Sequence, residues 1–324
     1  MGKGKKDKKK KKDKKKHEDA SGKGHEKAAK KAAKVSDARE EIREDGARLG
    51  GFSDALRVGK GFALVDVDTG STPAFEGDED DGEAALEAGH AELSDLMERL
   101  FAESTAGSKR SLLLVVQGMD TSGKGGLMRH VISVNPESVR ATAFKQPTPE
   151  ELAHDFLWRI ERALPAAGQL GVFDRSHYED VLVVRVHDVV PPEVWKKRYA
   201  QINAFERRVD RSGTKVIKVM THISKEEQRD RLLERLNRPD KYYKYNPGDV
   251  EERGHWQEYM EAYQAVIDRT STVVAPWHVV PADHKWYARL AVQQLLLEAL
   301  RSMNLTWPPA DFDIEVEKKR LAHS

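Results

Sequence analysis

Three short stretches carry side chains whose types and spacing suit work on phosphates. The first is GMDTSGKGG, residues 118–126. Gly118, four intervening residues, Gly123 and Lys124 make the frame of a phosphate-binding loop, in which backbone N–H groups and the positive end of a helix dipole face phosphate oxygens. Lys124 adds a mobile cation. Two features depart from that frame. The position after the lysine, where a hydroxyl would hold a magnesium ion, is Gly125, and an acid, Asp120, stands inside a loop built for anions. A carboxylate about 4 Å from a phosphate oxygen is repelled by roughly 4 kcal/mol at an effective dielectric of about 20. A cation between the two removes that cost, so Asp120 is read as taking over part of the missing hydroxyl's metal-binding role, directly or through water. The plainer reading is a solvent-facing turn aspartate.

The second stretch is FDRSHY, residues 173–178. Asp174 ends an apolar strand, where a phosphate-transfer fold places its second metal-binding carboxylate. Arg175 beside it has the planar fork that clamps a transferring phosphoryl group. A capping aspartate with an ion-paired arginine is the bland alternative. The third stretch, NRPDKYYKYNPGD (237–249), follows Arg235 and places Arg235, Arg238, Lys241 and Lys244 within ten residues, interleaved with Tyr242, Tyr243 and Tyr245. A basic flap of this kind closes over phosphates and excludes water; a solvated basic loop is the alternative. Lys145 and Arg159 are further candidates for anion contacts. His154 and Asp155 read as polar groups within a helix, and Trp158 and Trp277 as core. His177, His187, His222, His255 and His284 show no metal-ligand spacing, so no zinc site is expected.

These groups need a scaffold that brings residues about 50 and 120 positions apart to one place, and the pattern from Ser111 onward describes one. SLLLVVQG, a continuous apolar run ending in Gly, reads as a buried parallel strand. Strands are expected at 140–144, 170–173, 214–223 and 277–283, alternating with helices at crossover spacing. Thr148, Pro149 and Glu151 predict a capped start for one long helix over TPEELAHDFLWRIERAL, and Ser224 and Glu227 a second capping box. A helix over about 191–211 and another carrying Trp256, Tyr259 and Tyr263 complete the set. The sum is a three-layer α/β fold with a mostly parallel sheet. Residues 35–110 form an N-terminal approach segment packing on that core, with an acidic loop GDEDDG at 77–82 and a helix over about 83–103; residues 309–324 are a C-terminal tail.

Composition narrows the class. The chain has 324 residues and no cysteine, which removes disulfides and thiolate chemistry. It has no run of about 18 apolar residues, and no apolar core follows the N-terminal lysines, so a secretory signal is not expected and the protein is read as cytoplasmic. The net charge of +1 hides an asymmetry: residues 1–34 hold 16 Lys against 5 acids, and the remaining 290 residues hold 39 Lys or Arg against 49 acids. The Lys-rich tail, with no core-forming pattern, is expected to be disordered, either as a solubilising segment or as an arm for a polyanion.

Taken together, GMDTSGKGG, FKQPTPEELAHDFLWR, GVFDRSHYEDVLVVRVH, THISKEEQRDRLLERL and APWHVVPADHKWYARLAV resemble the successive signatures of the polyphosphate kinase 2 family, over roughly residues 50–308. The resemblance implies a P-loop kinase fold like that of thymidylate kinase, with a core at 111–308 and a helical lid at about 235–255. It implies transfer of a terminal phosphoryl group from inorganic polyphosphate to a nucleotide, AMP, ADP or both, and leaves the choice between these and GMP or GDP open. Magnesium would be the cofactor, with manganese as an alternative, and the protein a homodimer or homotetramer; neither a membrane nor nucleic acid is an expected partner. Asp120, Lys124, Asp174 and Arg175 match the catalytic positions, and Asp120 and Asp174 the metal ligands. Gly118, Met119, Thr121, Ser122, Gly123, Gly125 and Gly126 would cradle phosphate, helped by Arg129, Lys145 and Arg159. Arg235, Arg238, Lys241 and Lys244 would face polyphosphate. Many relatives carry Asn at the position of Asp174 and a Trp near Tyr243; this chain departs at both. An ATP-dependent nucleotide kinase and a non-catalytic polyanion binder are the competing functions.

Overall fold

A computed structural model describes residues 51–131 and 135–324. The expected tail at residues 1–34 lies outside the described residues. Five strands form one parallel sheet: β1 (Ser111–Gly118), β2 (Val139–Ala143), β3 (Leu170–Asp174), β4 (Thr214–His222) and β5 (Trp277–Pro281), in the order β2-β3-β1-β4-β5. All pairings are parallel, with Val116 opposite Asp174 on one side of β1 and Gly118 opposite Thr221 on the other. The chain leaves β1 toward one edge and later crosses to the other, so a crevice opens at the C-terminal end of β1, where such sheets bind ligands. Both the loop after β1 and the turn after β3 open into it.

The pleat explains the layers. Every residue of β1 is buried. Leu112, Leu114 and Val116 point to a core shared with helices Glu79–Thr105 and Lys285–Ser302; Leu113 and Val115 point to the opposite core, shared with helices Trp158–Ala163, Pro192–Arg211 and Trp256–Thr270. This is the expected three-layer α/β arrangement, and its sheet is wholly parallel.

Residues 51–110 touch both cores: Phe52, Leu56 and helix Glu79–Thr105 pack on the first, Val58 and Leu64 on the opposite one. Helix Glu79–Thr105 lies against helix Lys285–Ser302 with no room for side chains at two points: a Cβ on Gly82 would sit 2.2 Å from the Trp286 ring, and one on Gly89 2.3 Å from Gln293 Oε1. Gln293 Nε2 in turn donates to the Leu86 carbonyl at 2.9 Å. The short helix Phe52–Leu56 is capped from far along the chain: Phe52 and Ser53 N–H groups donate to the Glu298 carboxylate at 2.7 and 2.9 Å.

Four local expectations change. The acidic stretch 77–82 is not a loop; Asp78 caps helix Glu79–Thr105 in a capping box with Asp81, because carboxylates suit a helix start. TPEELAHDFLWRIERAL is broken in two, with Thr148 and Glu151 closing the expected box on Pro149–Leu152 and a second helix at Trp158–Ala163. Asp155 causes the break: its side chain accepts from Leu157 N at 3.0 Å and its carbonyl from Trp158 N at 2.8 Å, so it starts a new helix rather than continuing the old one. His154 and Asp155 therefore lie between helices. Trp158 is half-buried, stacked on His154 at 4.1 Å with the Arg162 guanidinium 4.8 Å over its ring, whereas Trp277 is core as expected. The Ser224 box is half made: Ser224 caps Glu227 N, but the Glu227 carboxylate goes to Arg231 at 2.6 Å. Residues 309–324 hold a capped helix, Ile314–Ala322, with no buried residue.

Candidate active site

The loop after β1 is shaped by close approach to β4. Gly118, at φ 152°, lies so near that a Cβ would meet Thr221 Oγ1 at 2.4 Å and the Thr221 carbonyl at 2.5 Å. Ser122 is buried, and its hydroxyl meets Thr221 Oγ1 at 2.7 Å while its N–H donates to the Met119 carbonyl. Ser122 thus braces the loop against β4 rather than turning its hydroxyl to the cavity. Gly123 takes a left-handed turn at φ 101° and caps the helix Lys124–His130. Lys124 curls back over the loop, its Nζ donating to the carbonyls of Gly118 at 2.5 Å and Met119 at 3.0 Å. Gly125 and Gly126 are open, with nothing within 4 Å of an added Cβ. Gln228 and Arg231, from helix Lys225–Asn237, tie the outer side of the loop through the carbonyls of Asp120 at 3.1 Å and Thr121 at 2.9 Å.

The turn after β3 meets this loop. Arg175 is left-handed at φ 63°, an uncommon conformation for a side chain of its size, and its N–H donates to Val116 of β1 at 3.0 Å. From that position its Nη2 donates to Asp120 Oδ1 at 2.8 Å. The two departures from an ordinary loop are thereby joined: the acid inside the loop is the partner of the arginine of the second motif. Burial alone would push the Asp120 carboxyl up, but Lys124, Arg175 and Arg235 outweigh it and hold the group below its ordinary range. Burial also opposes the Arg175 cation, and Glu179 and Asp120 overcome that and keep it firmly charged. Burial pulls the Lys124 ammonium down against the opposing charge of Asp120, and pushes the Glu179 carboxyl up. The Asp174 carbonyl accepts from Phe144 N at 3.0 Å, while its carboxylate makes no hydrogen bond or ion pair among the described residues, borders the crevice and acts on Lys124 through space.

Two cavities meet at Asp120 and Arg175. One, of about 810 Å³, is lined by the phosphate loop, Asp174, Arg129 and Lys145, by Arg235, Lys241, Lys244 and Tyr243 of the lid, and by Lys285 and Arg289. It has nine Lys or Arg side chains against two acids. The other, of about 680 Å³, runs beneath Phe144 and Lys145 toward Leu182, Val183, Val184 and Val190, and carries four Lys or Arg against six acids. Arg159 sits on its wall, buried, donating to the Lys145 carbonyl at 2.9 Å with its guanidinium 5.5 Å over Phe144.

The lid is a set of helical turns, Pro239–Lys244 and Gly248–Gly254, between helices Lys225–Asn237 and Trp256–Thr270. Arg235 spans it, donating to the Lys244 carbonyl at 2.8 Å and to Asp249 at 3.2 Å. Of the four expected lid cations three line the basic cavity. Arg238 is the exception: it is held by Asp240 at 2.7 Å and Glu234 at 3.3 Å and lines neither cavity. Sequence reasoning missed Lys285 and Arg289, Glu179, Asp249 and Tyr263. A signal existed for Lys285: a cation at the first position of a helix, with no acid in that turn, opposes the helix dipole unless an anion visits. Among the described residues no group of three or more His, Asp or Glu is placed to hold a metal ion. No described helix is long and apolar enough to cross a membrane.

Comparison with known proteins is consistent with this geometry. Residues 76–308 match the family model described as Polyphosphate kinase 2. The AMP/ADP-polyphosphate phosphotransferase of Meiothermus ruber is 46% identical over 248 residues, covering 76% of this chain and 91% of the relative. The ADP-polyphosphate phosphotransferase of Rhodopseudomonas palustris is 42% identical over 229 residues, covering 67% of this chain and 78% of the relative. The crystal structure of Polyphosphate Kinase 2 from Arthrobacter aurescens TC1 superposes with a TM-score of 0.84 at 52% identity, covering 85% of this chain and 98% of that one.

Proposed function

Since the chain belongs to the polyphosphate kinase 2 family, we propose that it transfers the terminal phosphoryl group of inorganic polyphosphate to a nucleoside mono- or diphosphate, AMP to ADP and ADP to ATP. The observation that carries this reading is the meeting of two unlike cavities at one carboxylate and one guanidinium. A chain of phosphates, with about one negative charge per residue, suits the basic cavity. A nucleotide suits the other, where valines and leucines offer an apolar wall to base and sugar, and Lys145, Arg159 and Arg175 stand near its phosphate end.

The chemistry is an in-line displacement. A terminal oxygen of the nucleotide's phosphate attacks the terminal phosphorus of the chain, and the P–O bond to the next phosphorus breaks, the shortened chain leaving with the bonding pair. The attacking oxygen is already anionic, so no strong base is needed; the protein's work is positioning and charge stabilisation. Arg175, fixed by Asp120, stands at the junction to neutralise the transferring group. Lys124 exchanges two loop carbonyls for phosphate oxygens. The lid cations hold the donor chain and exclude water.

Magnesium fits the residues present. Asp174 offers a carboxylate with no partner among the described residues, lining the same cavity as Asp120, and magnesium characteristically takes one or two carboxylates with phosphates and water supplying the rest. When bound it would offset the negative charge of the phosphates. The same reading takes the enzyme as cytoplasmic and as a homodimer or homotetramer; exposed Trp307, Phe312, Ile314 and Leu321 support an assembly face. The test is incubation with magnesium, polyphosphate and each of AMP, ADP, GMP and GDP, with separation of the products. ADP or ATP forming without any nucleoside triphosphate donor is expected. Transfer from ATP alone would replace this reading with a nucleotide kinase, and tight binding without turnover with a polyanion binder.

A further inference from the structure

A charged cluster lies beneath the site, outside both cavities. Lys218, in the middle of β4, is fully buried, and its ammonium donates to Glu206 Oε2 at 2.7 Å, to the Tyr178 phenol at 2.9 Å and to the Thr270 carbonyl at 2.7 Å. Tyr178, also fully buried, donates back to Glu206 Oε1 at 2.6 Å, and His177 Nε2 lies 3.4 Å from the same oxygen. All three ammonium protons and both hydrogen-bonding roles of the phenol are used. Stability alone accounts poorly for such a pair, because desolvating two ions costs about as much as their attraction returns, and apolar replacements of equal volume are often neutral or better.

What the pair grips is the turn that carries Arg175. Tyr178 belongs to the single 3₁₀ turn His177–Asp180, which starts two residues after Arg175 and includes Glu179. The same turn is held from β1, where Gln117 Nε2 donates to Ser176 Oγ at 3.0 Å and Ser176 Oγ accepts from Tyr178 N at 3.2 Å. A left-handed arginine persists only when its surroundings over-determine it, and here it is fixed from β1 on one side and through the Tyr178 phenol on the other. We propose that Glu206 and Lys218 are positioning residues, which act through the Tyr178 hydroxyl to hold the Arg175 guanidinium at the point of transfer. This rests on the polyphosphate-to-nucleotide reading above.

Tyr178→Phe is the discriminating variant. It keeps the ring against Trp277, at 4.8 Å, and leaves Lys218 and Glu206 paired with each other, while removing the hydroxyl through which they hold the turn; the longer His177–Glu206 contact, 3.4 Å, stays in place. Expected are an unchanged circular dichroism spectrum, KM values for polyphosphate and nucleotide within about twofold, and kcat lowered about tenfold or more, since misplacement of a reacting group by about 1 Å costs up to 100-fold. In an Arg175→Lys background the same substitution should change kcat less than about twofold, because the group it positions is already compromised. The paired variant Glu206→Gln/Lys218→Met, which leaves no orphan charge, should show the same loss of kcat at constant KM and serves if Tyr178→Phe does not fold. Wild-type kcat in a folded Tyr178→Phe enzyme, or an equal fractional loss in both backgrounds, would overturn the proposal. Absence of transfer from polyphosphate by the wild-type enzyme would instead overturn the reaction assigned above.

Discussion

The two cavities that meet at Asp120 and Arg175 are close in size and opposite in character. The larger, about 810 Å³, is lined by backbone N–H groups and nine basic side chains, while the smaller, about 680 Å³, has more acids than bases and a wall of valine and leucine. The body of the protein is net acidic, so no global field draws a polyanion in; under the proposed reaction the basic cavity does so locally, and the acids of its neighbour disfavour the long polyanion there. On that reading charge distribution, rather than shape, sorts the two substrates, and the carboxylate in the loop after β1 marks the border. Asp120 serves both sides, fixing Arg175 and bordering each space.

The comparison is most sharply tested at that border. Lys124→Ala and Asp120→Asn should each lower kcat by about 1,000-fold, the scale of losing a charged group from a transferring phosphoryl; steady-state assays with saturating polyphosphate measure it, and near-wild-type turnover in either would remove that residue from the transfer step. A second effect must be kept apart from the site. His222 and His278, buried in β4 and β5, are pushed down to about 4 by desolvation. The unfolded chain, with its histidines near 6.5, binds more protons than the folded one between those values, so stability falls as pH drops from about 6.5 toward about 4. Each contributes on the order of 2 kcal/mol of loss by about pH 5. Melting temperatures at pH 7.5 and pH 5 should show it, and unchanged melting would mean that neither imidazole stays neutral in the fold.

A smaller effect separates the cavities from each other. Arg235→Ala, on the basic side, should raise KM for polyphosphate about tenfold and leave the nucleotide KM nearly constant, the cost of one charge-assisted contact. Leu152→Glu, on the other wall, should do the reverse, about threefold. Effects in the same direction for both substrates would erase the division between the spaces. The smallest expected effect is none: Gly125→Ser restores the hydroxyl of an ordinary loop into open space, and if Asp120 and Asp174 manage the metal, activity should stay within about twofold.

Much of the border could be read in the sequence, because it is local. A glycine frame after an apolar run fixes strand, turn and helix within about 20 residues, and FDRSHY lies at the end of the neighbouring strand. What could not be read was contact at a distance. Nothing near Asp120 says that Arg175 holds it, since that depends on the β1–β3 register and on the left-handed turn. Lys285 and Arg289 enter the basic cavity only because a later helix packs beside the loop. Ser122, grouped with the phosphate-cradling residues by position, is spent on Thr221, which sequence proximity does not reveal. Asp155 shows a local limit too: helical periodicity ran through it, and its competing side-chain hydrogen bond did not register.

The close contact between helices Glu79–Thr105 and Lys285–Ser302 also sets an order of manufacture. Lys285 and Arg289 stand at the start of a helix that locks onto Gly82 through Trp286 in the same first turn, and onto Gly89 and helix Phe52–Leu56 through Gln293 and Glu298 further along. A nascent chain that has exposed the phosphate loop still lacks this wall, and its early segment has nothing to clasp. The charged trough is therefore completed late in synthesis, only once that helix is in place.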